Sequence, residues 1–271
     1  MQETENNNNV GTKAPRTIIR VGNRALAFAV ADERQDTKVA FEPYIVKSGV
    51  SKAANLRQAF KTSPILLAKS DRAMVTVDTK TMIVPASEFD KTQKEVLYSH
   101  CFTSTEGETV MACMLPDFDA VAIFGMNSDL KLVVDDHFSD TRFVPLMMPV
   151  WTYLYNRSQA GGKRKLYGYF HDGRLDVVSF DKSRLKFSNQ FDAQYSRDAA
   201  YFMLYAWRQL GMDAVDDEMF LCGDIPDREW LLEAMRNYVQ KVFVVNVAAD
   251  FNRSPITRMP GMPLDMMLMY L

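Results

Sequence analysis

One pattern occurs twice in this sequence: in RTIIRVGNRALAFAVADERQDTKVAFEPYIV at Arg16–Val46 and in KLYGYFHDGRLDVVSFDKSRLKFSNQF at Lys165–Phe191. Short apolar or alternating runs bounded by Gly, Asn and Asp predict three consecutive strands in each stretch. Each triplet is followed by a helix, a strand, a second helix and a further strand. This repeated order predicts an α/β protein with two lobes and a cleft between them. The predicted strands are Thr17–Val21, Ala25–Ala31 and Lys38–Val46 in the first unit, and Leu166–His171, Arg174–Phe180 and Leu185–Phe191 in the second.

The two units differ in length, and the difference defines the predicted domains. The second unit contains only the repeated elements, whereas the first carries an additional segment at about residues 65–116. Ala73–Val77 and Thr81–Pro85 are predicted to form a hairpin in this insertion, and Ala120–Phe124 is predicted to resume the core sheet. The predicted domains are a disordered leader (1–15), a first ribonuclease-H-like lobe (16–160), a second such lobe (161–250) and a C-terminal tail (251–271).

The composition limits the classes of function. The 271 residues are 47% hydrophobic and 24% charged, with a net charge of −2, as in ordinary globular proteins. Nucleic-acid binding would need a concentrated basic surface, and a membrane span about 18 or more uninterrupted apolar residues, so neither is expected. Met1–Asn9 lacks the positive charge of a signal peptide. Cys101, Cys113 and Cys222 are scattered and form no CxxC pair, which predicts a reduced, cytoplasmic setting.

The element order carries a resemblance to a known superfamily. Three meandering strands, a crossover helix and then parallel strands resemble a ribonuclease-H-like unit, and two such units in tandem resemble the actin/Hsp70 superfamily. Over nearly all of Arg16–Asp250 the chain is similar to an uncharacterised bacterial family with an actin-like ATPase fold. The functional relatives that this implies are the actin-like cytoplasmic proteins of pilus and type II secretion machines. The resemblance also implies a cleft that binds ATP with Mg²⁺ where the phosphate loops are kept.

The phosphate loops of that family are the first test of a nucleotide site. In actin-like ATPases each lobe has an Asp-x-Gly hairpin whose backbone N–H groups and carboxylate face the phosphates and Mg²⁺. The first hairpin of this sequence, Arg20–Arg24, has Asn23 and no carboxylate. The second, Phe170–Arg174, has Asp172 and Gly173 next to each other, which is also the ordinary sequence of a type I′ turn.

The turn that would contact adenosine has also changed. Leu221–Pro226 keeps Gly223 but has Asp224 in place of the second glycine, which puts a negative charge where nucleotide would lie. Gly125 is predicted to be the equivalent glycine of the first unit, and this symmetry favours a structural role for both. The candidate nucleotide-binding residues are Asn23, Asp172, Gly173, Gly223 and Asp224.

Other chemistry is not indicated by the sequence. It contains no Walker A motif, dinucleotide fingerprint, HExxH or GxSxG string. His100, His137 and His171 are not spaced as metal ligands, and the His100–Cys101 pair lacks an orienting third group. We therefore predict neither a catalytic residue nor a metal site.

Two functions from different classes fit these observations. The first is a degenerate actin-like protein without ATPase activity or cofactor, which acts as a scaffold or adaptor for an unidentified protein partner. The second is a nucleotide-binding ATPase whose diverged loops still hold ATP with Mg²⁺. Apolar residues of the insertion, such as Phe89 and Val96, make it the predicted docking surface. The arrangement of Asn23, Asp172 and Gly223 discriminates between the two functions.

Overall fold

A computed structural model describes residues 15–68, 70–103, 106–181 and 184–271. The predicted leader therefore lies outside the described residues, except for Pro15. Within those ranges, no helix has both the length and the apolar character needed to cross a bilayer.

The described strands and helices alternate as the sequence predicts in most of the chain. In chain order the strands are β1 (Thr17–Val21), β2 (Ala25–Ala31), β3 (Val39–Ile45), β4 (Arg72–Val77), β5 (Thr81–Pro85), β6 (Glu108–Leu115), β7 (Ala120–Asn127), β8 (Asp140–Pro145), β9 (Lys165–His171), β10 (Arg174–Asp181), β11 (Arg184–Asp192), β12 (Glu218–Gly223) and β13 (Val242–Val244). The α-helices are α1 (Lys52–Thr62), α2 (Pro64–Leu67), α3 (Lys94–Cys101), α4 (Ser128–Asp135), α5 (Met148–Ser158), α6 (Ser196–Gln209), α7 (Arg228–Arg236), α8 (Val247–Asp250) and α9 (Leu264–Met267).

Two five-stranded sheets with the same topology form the lobes. The first has the order β3-β2-β1-β4-β8 and the second the order β11-β10-β9-β12-β13. In each sheet the first strand of the repeat pairs antiparallel with the second and parallel with the fourth. Helices α1 and α4 pack against the first sheet through Leu56 and Leu130, and α6 and α7 against the second through Met203 and Leu231. The predicted duplication is therefore present strand for strand.

The third sheet corrects the predicted boundary of the insertion. It is antiparallel, with the order β5-β7-β6, and is separate from the two large sheets. The predicted hairpin of Ala73–Val77 with Thr81–Pro85 is wrong, because Ala73–Val77 belongs to β4 between β1 and β8. Ala120–Phe124 does not resume the core sheet either, since it belongs to β7. The inserted segment therefore lies between β4 and α4 rather than at about residues 65–116.

Burial on both faces explains this error. Val75 in β4 and Ile123 in β7 are both fully buried within short apolar strands. Such a pattern predicts a central strand but does not identify its neighbours. The corrected topology also removes the predicted equivalence of Gly125 with Gly223. A Cβ at Gly125 would lie 2.4 Å from Glu108 Oε2 in β6 and 2.5 Å from the Tyr98 hydroxyl in α3, so this glycine makes room for side chains of the inserted segment.

The tail at residues 251–271 covers the face of the first sheet opposite to α1. Along β2, Leu26 and Phe28 pack into the core beneath α1, whereas Ala27 and Ala29 pack against the tail. Small side chains on that face let the tail approach the sheet closely, and flexible methionines fill the remaining gaps. The tail residues buried in this cluster are Ile256, Met262, Met266 and Met267.

Candidate functional site between the two lobes

The two hairpins occupy matching positions in their sheets and meet across the cleft. Val21 pairs with Leu26 before the first turn, and Phe170 pairs with Leu175 before the second. This register makes Asn23 the counterpart of Asp172. The backbone φ angles of Asp172 and Gly173 are 49° and 76°, which are the left-handed values that a type I′ turn requires.

Asp172 lies directly against the first hairpin. Its Oδ2 accepts hydrogen bonds from Arg20 Nη1 at 2.9 Å and from the Asn23 backbone N–H at 3.1 Å. Gly22 permits this approach, since a Cβ at that position would lie 2.1 Å from the same oxygen. The backbone N–H of Asn23 therefore already donates to a carboxylate of the second lobe. In actin-like ATPases the corresponding hairpin faces the phosphates.

Arg20 continues this contact into the tail. Its Nε and Nη2 donate to the Asp265 carboxylate at 2.8 and 3.0 Å, and the Tyr169 hydroxyl donates to Asp265 Oδ2 at 2.7 Å. Arg20 and Tyr169 hold matching positions in β1 and β9, so the two lobes share one buried carboxylate. Burial alone would lower the pKa of Arg20, but the charge and hydrogen bonds of Asp265 raise it, and the guanidinium stays charged. Burial and the charge of Asp265 raise the pKa of Tyr169, which stays protonated.

Arg174 forms a second connection between the lobes. Its Nη1 donates to Asp78 Oδ1 at 2.9 Å and to Gln190 Oε1 at 2.7 Å, and its Nη2 lies 3.4 Å from Asn23 Oδ1. Asp78 follows β4 in the first lobe, whereas Arg174 begins β10 in the second. A cavity of about 340 Å³ lies beside these groups and is also lined by Trp151.

The turn after β12 has a structural counterpart in the first lobe. The Asp224 backbone N–H donates to Phe170 O at 2.9 Å, and the Asp78 N–H donates to Val21 O at 2.8 Å. Asp78, rather than a residue near Gly125, is therefore the equivalent of Asp224. Burial and the negative charge of Asp172 raise the pKa of the Asp224 carboxyl.

Gly223 and Asp224 face a cavity of their own. This cavity has a volume of about 790 Å³ and is also lined by Arg228 and by tail residues that include Met262 and Met267. The structure thus brings Asn23 and Asp172 into contact, with Gly173 beneath the guanidinium of Arg24. Gly223 and Asp224 lie on a neighbouring cavity.

Sequence reasoning missed the charged residues that join the lobes: Arg20, Asp78, Arg174 and Asp265. One of them gave a readable signal. Arg20 interrupts the otherwise apolar strand TIIRV, and a charge buried in a central strand needs a partner. The partner could not be identified, because Asp265 lies 245 residues further along the chain.

The paired sheets, the facing hairpins and the inserted third sheet define the class of this protein, which has the actin-like ATPase fold. The chain belongs to the family described as a protein of unknown function, DUF3822, which matches residues 5–242. No protein of curated function matches its sequence.

Two solved structures agree with this assignment. A Bacteroides thetaiotaomicron VPI-5482 protein with an actin-like ATPase fold and unknown function has a TM-score of 0.79 and 25% identity, covering 89% of this chain and 95% of that chain. The PilM–PilN type IV pilus biogenesis complex has a TM-score of 0.56 and 9% identity, covering 95% and 98%. The cytoplasmic domain of Vibrio cholerae EpsL, an inner membrane component of the type II secretion system, is more distant, with a TM-score of 0.42 and 11% identity over 77% and 82%. The predicted fold and family resemblance are confirmed.

Proposed function

We propose that this protein is a non-catalytic scaffold or adaptor, acting in the cytoplasm through contacts with a protein partner. The observation that carries the proposal is the position of Asp172. Its carboxylate accepts hydrogen bonds from the Asn23 N–H and from the Arg20 guanidinium. These are the donors of the first hairpin that an anionic phosphate would need. Phosphate would have to displace this carboxylate from its donors, and the two negatively charged groups would repel each other.

The first hairpin also lacks the group that would hold Mg²⁺. Asn23 offers an amide where actin-like ATPases have a carboxylate, and its Oδ1 lies 3.4 Å from Arg174 Nη2. Mg²⁺ in nucleotide sites is usually held by one or two carboxylates together with the phosphates. The residues present therefore do not fit ATP with Mg²⁺ at the hairpins.

We expect no ATP binding and no ATP hydrolysis by the full chain. Calorimetric titration with ATP and Mg²⁺ should show no saturable heat up to about 1 mM, where a ligand bound by roughly 4 kcal/mol would half-saturate. Phosphate release should equal that of a protein-free blank. ATPase turnover that Asp172→Ala abolishes would refute the proposal.

The alternative is nucleotide binding in the cavity beside Gly223 and Asp224. Its volume of about 790 Å³ is within the range of small-molecule sites, so the cavity is large enough for a nucleotide. The same calorimetric titration decides it, with Asp224→Asn as the matched variant. If nucleotide binds there, removing the charge of Asp224 should tighten binding, because the phosphates and the carboxylate repel each other.

The third sheet is the proposed docking surface for the partner. Its edge strand β6 exposes Ala112 and Met114, and Met114 has 57% of its surface exposed. A cavity of about 360 Å³ on this face is lined by Phe89 and by Lys91 and Lys94. Apolar surface with a polar rim is typical of protein interaction sites. PilM, a protein of the same fold, is found in a complex with PilN, which supports a protein partner here.

We expect the double variant Ala112→Glu/Met114→Glu to lose its partner in a pull-down from the native cell. The two side chains are two residues apart in β6 and therefore point to the same face, so the double change places both new charges on one surface. Val215→Glu is the matched control, because Val215 is also an exposed apolar residue, at 52%, but lies in the second lobe. A partner that the double variant retains in full, with unchanged circular dichroism, would exclude this surface.

A further inference from the structure

Three side chains that can bind metal converge between the lobes. Asp78 follows β4 in the first lobe, and His171 and Asp172 end β9 and begin the second hairpin. One ligand atom of each residue lies within 4.8 Å of those of the other two. The distance along the chain between Asp78 and His171 explains why ligand spacing in the sequence gave no sign of this group.

His171 has the arrangement of a metal-binding histidine. Its Nε2 lies 2.7 Å from Asp176 Oδ2, and only 2% of the residue is exposed. Its Nδ1 is buried and has no hydrogen-bond partner among the described residues. Metal-bound histidines commonly give one ring nitrogen to the ion and bond a carboxylate through the other, which fixes the tautomer and orients the ring. Asp176 can take that orienting role.

Asp78 also has an unused ligand atom. Its Oδ1 accepts from Arg174 at 2.9 Å and from Gln190 at 3.0 Å. Its Oδ2 is buried and, among the described residues, has no hydrogen-bond partner. A buried carboxylate oxygen without a partner is costly, and so is a buried imidazole nitrogen. A cation coordinated through these two atoms would give each of them a partner.

The charge balance around the group favours a dication. Among the described residues, five carboxylates and three cationic groups interact electrostatically with this group or with one another around it, an excess of two negative charges when all are ionised and His171 is neutral. The carboxylates are Asp78, Asp172, Asp176, Asp224 and Asp265, and the cations are Arg20, Lys52 and Arg174.

We propose that Asp78, His171 and Asp172 bind a divalent transition-metal ion, of which Zn²⁺ is the best match, and that this ion joins the two lobes. One imidazole and two carboxylates are ligands that Zn²⁺ accepts, whereas Mg²⁺ prefers oxygen ligands alone. The site requires no nucleotide. It goes beyond the proposed scaffold function, since a partner could bind the third sheet whether or not the ion is present.

A proton competes with the metal at this site. Since an imidazole must be neutral to bind a metal ion, Zn²⁺ affinity should fall as the pH is lowered from about 7.5 to about 6. The direction of this dependence follows from proton release on binding.

The test is calorimetric titration of Zn²⁺ into the metal-stripped full chain at about pH 7.5. We expect one saturating site in the wild type, and a loss of at least about 100-fold in affinity in His171→Gln. Asp176→Asn should weaken binding by roughly 10–100-fold, because it removes the orienting carboxylate. The control His100→Gln/Cys101→Ser removes an exposed pair that could hold zinc adventitiously, and should bind as the wild type does.

Three results would overturn the proposal. The first is the absence of saturable Zn²⁺ binding to the wild type, the second is equal affinity in the wild type and in His171→Gln, and the third is loss of binding in the His100→Gln/Cys101→Ser control. If His171→Gln fails to fold, the wild-type titration still decides, together with the visible absorption of bound Co²⁺. Loss of both signals in the His100→Gln/Cys101→Ser control would place the ion at the exposed pair instead.

Discussion

Replacing Asp265 with alanine is expected to lower the free energy of unfolding by about 3–5 kcal/mol. The carboxylate of Asp265 has no exposed surface and accepts two hydrogen bonds from Arg20 and one from Tyr169. Its removal leaves a guanidinium that is 2% exposed without its main counter-charge, and a buried phenol without its acceptor. An uncompensated buried charge is among the most destabilising defects a single substitution can create.

Urea denaturation of the wild type and of Asp265→Ala measures this loss. Asp216→Ala is the matched control, because Asp216 also pairs with a cation, Lys163 at 2.8 Å, but both side chains are about half exposed or more. Exposed pairs contribute about 0–1 kcal/mol, so the control should remain close to the wild type. A loss below about 1 kcal/mol in Asp265→Ala would show that Arg20 does not depend on this carboxylate.

Gly223→Ala should cost on the order of 3 kcal/mol or more, since two separate penalties apply. The φ angle of Gly223 is +86°, which L side chains rarely adopt, and a Cβ would lie 2.1 Å from the carbonyl oxygen of Phe170. That oxygen accepts the Asp224 N–H and belongs to the central strand β9, so it cannot move without disturbing the sheet.

Gly161→Ala separates the two penalties. Gly161 has a φ of +77° but nothing within 4 Å of its Cβ position, so alanine there carries only the conformational cost of roughly 1 kcal/mol. Thermal unfolding of both variants measures the difference. Equal losses would mean that the clash with Phe170 is relieved at little cost. The expected inequality would assign Gly223, a candidate nucleotide contact, a role in closing the turn.

The parts of the fold that the sequence predicted are those with local signals. The hairpin between β9 and β10 could be predicted because the pair Asp172 and Gly173 favours the left-handed backbone angles that its two-residue turn requires. The strands on either side of it, KLYGYFH and RLDVVSFD, are rich in apolar and aromatic residues, and their lengths fit a sheet. The duplication followed from two such local patterns in the same order, without any knowledge of tertiary contacts.

The arrangement of the site could not be predicted in the same way, because it depends on tertiary contacts that no local sequence pattern specifies. The placement of Ala73–Val77 was missed because a strand buried on both faces does not identify its neighbours. Asn23, Asp172 and Gly223 became candidates because they stand in or next to turns that the sequence marks, whereas Asp78 and Asp265 follow or lie in elements that carry no motif. Their roles arise from pairing across the cleft, over sequence separations of 96 residues for Asp78 with Arg174 and 245 for Asp265 with Arg20.

The carboxylate shared by Arg20 and Tyr169 sets an order of events during synthesis. Arg20 is translated 245 residues before Asp265, an interval of roughly 12–50 s at 5–20 residues per second. Throughout that interval Arg20 lacks the carboxylate that accepts two of its hydrogen bonds, so the interior of the first lobe is incomplete when it leaves the ribosome. The nascent first lobe should therefore be sensitive to proteases, and protection should arise only when the tail has been made and the two halves close together.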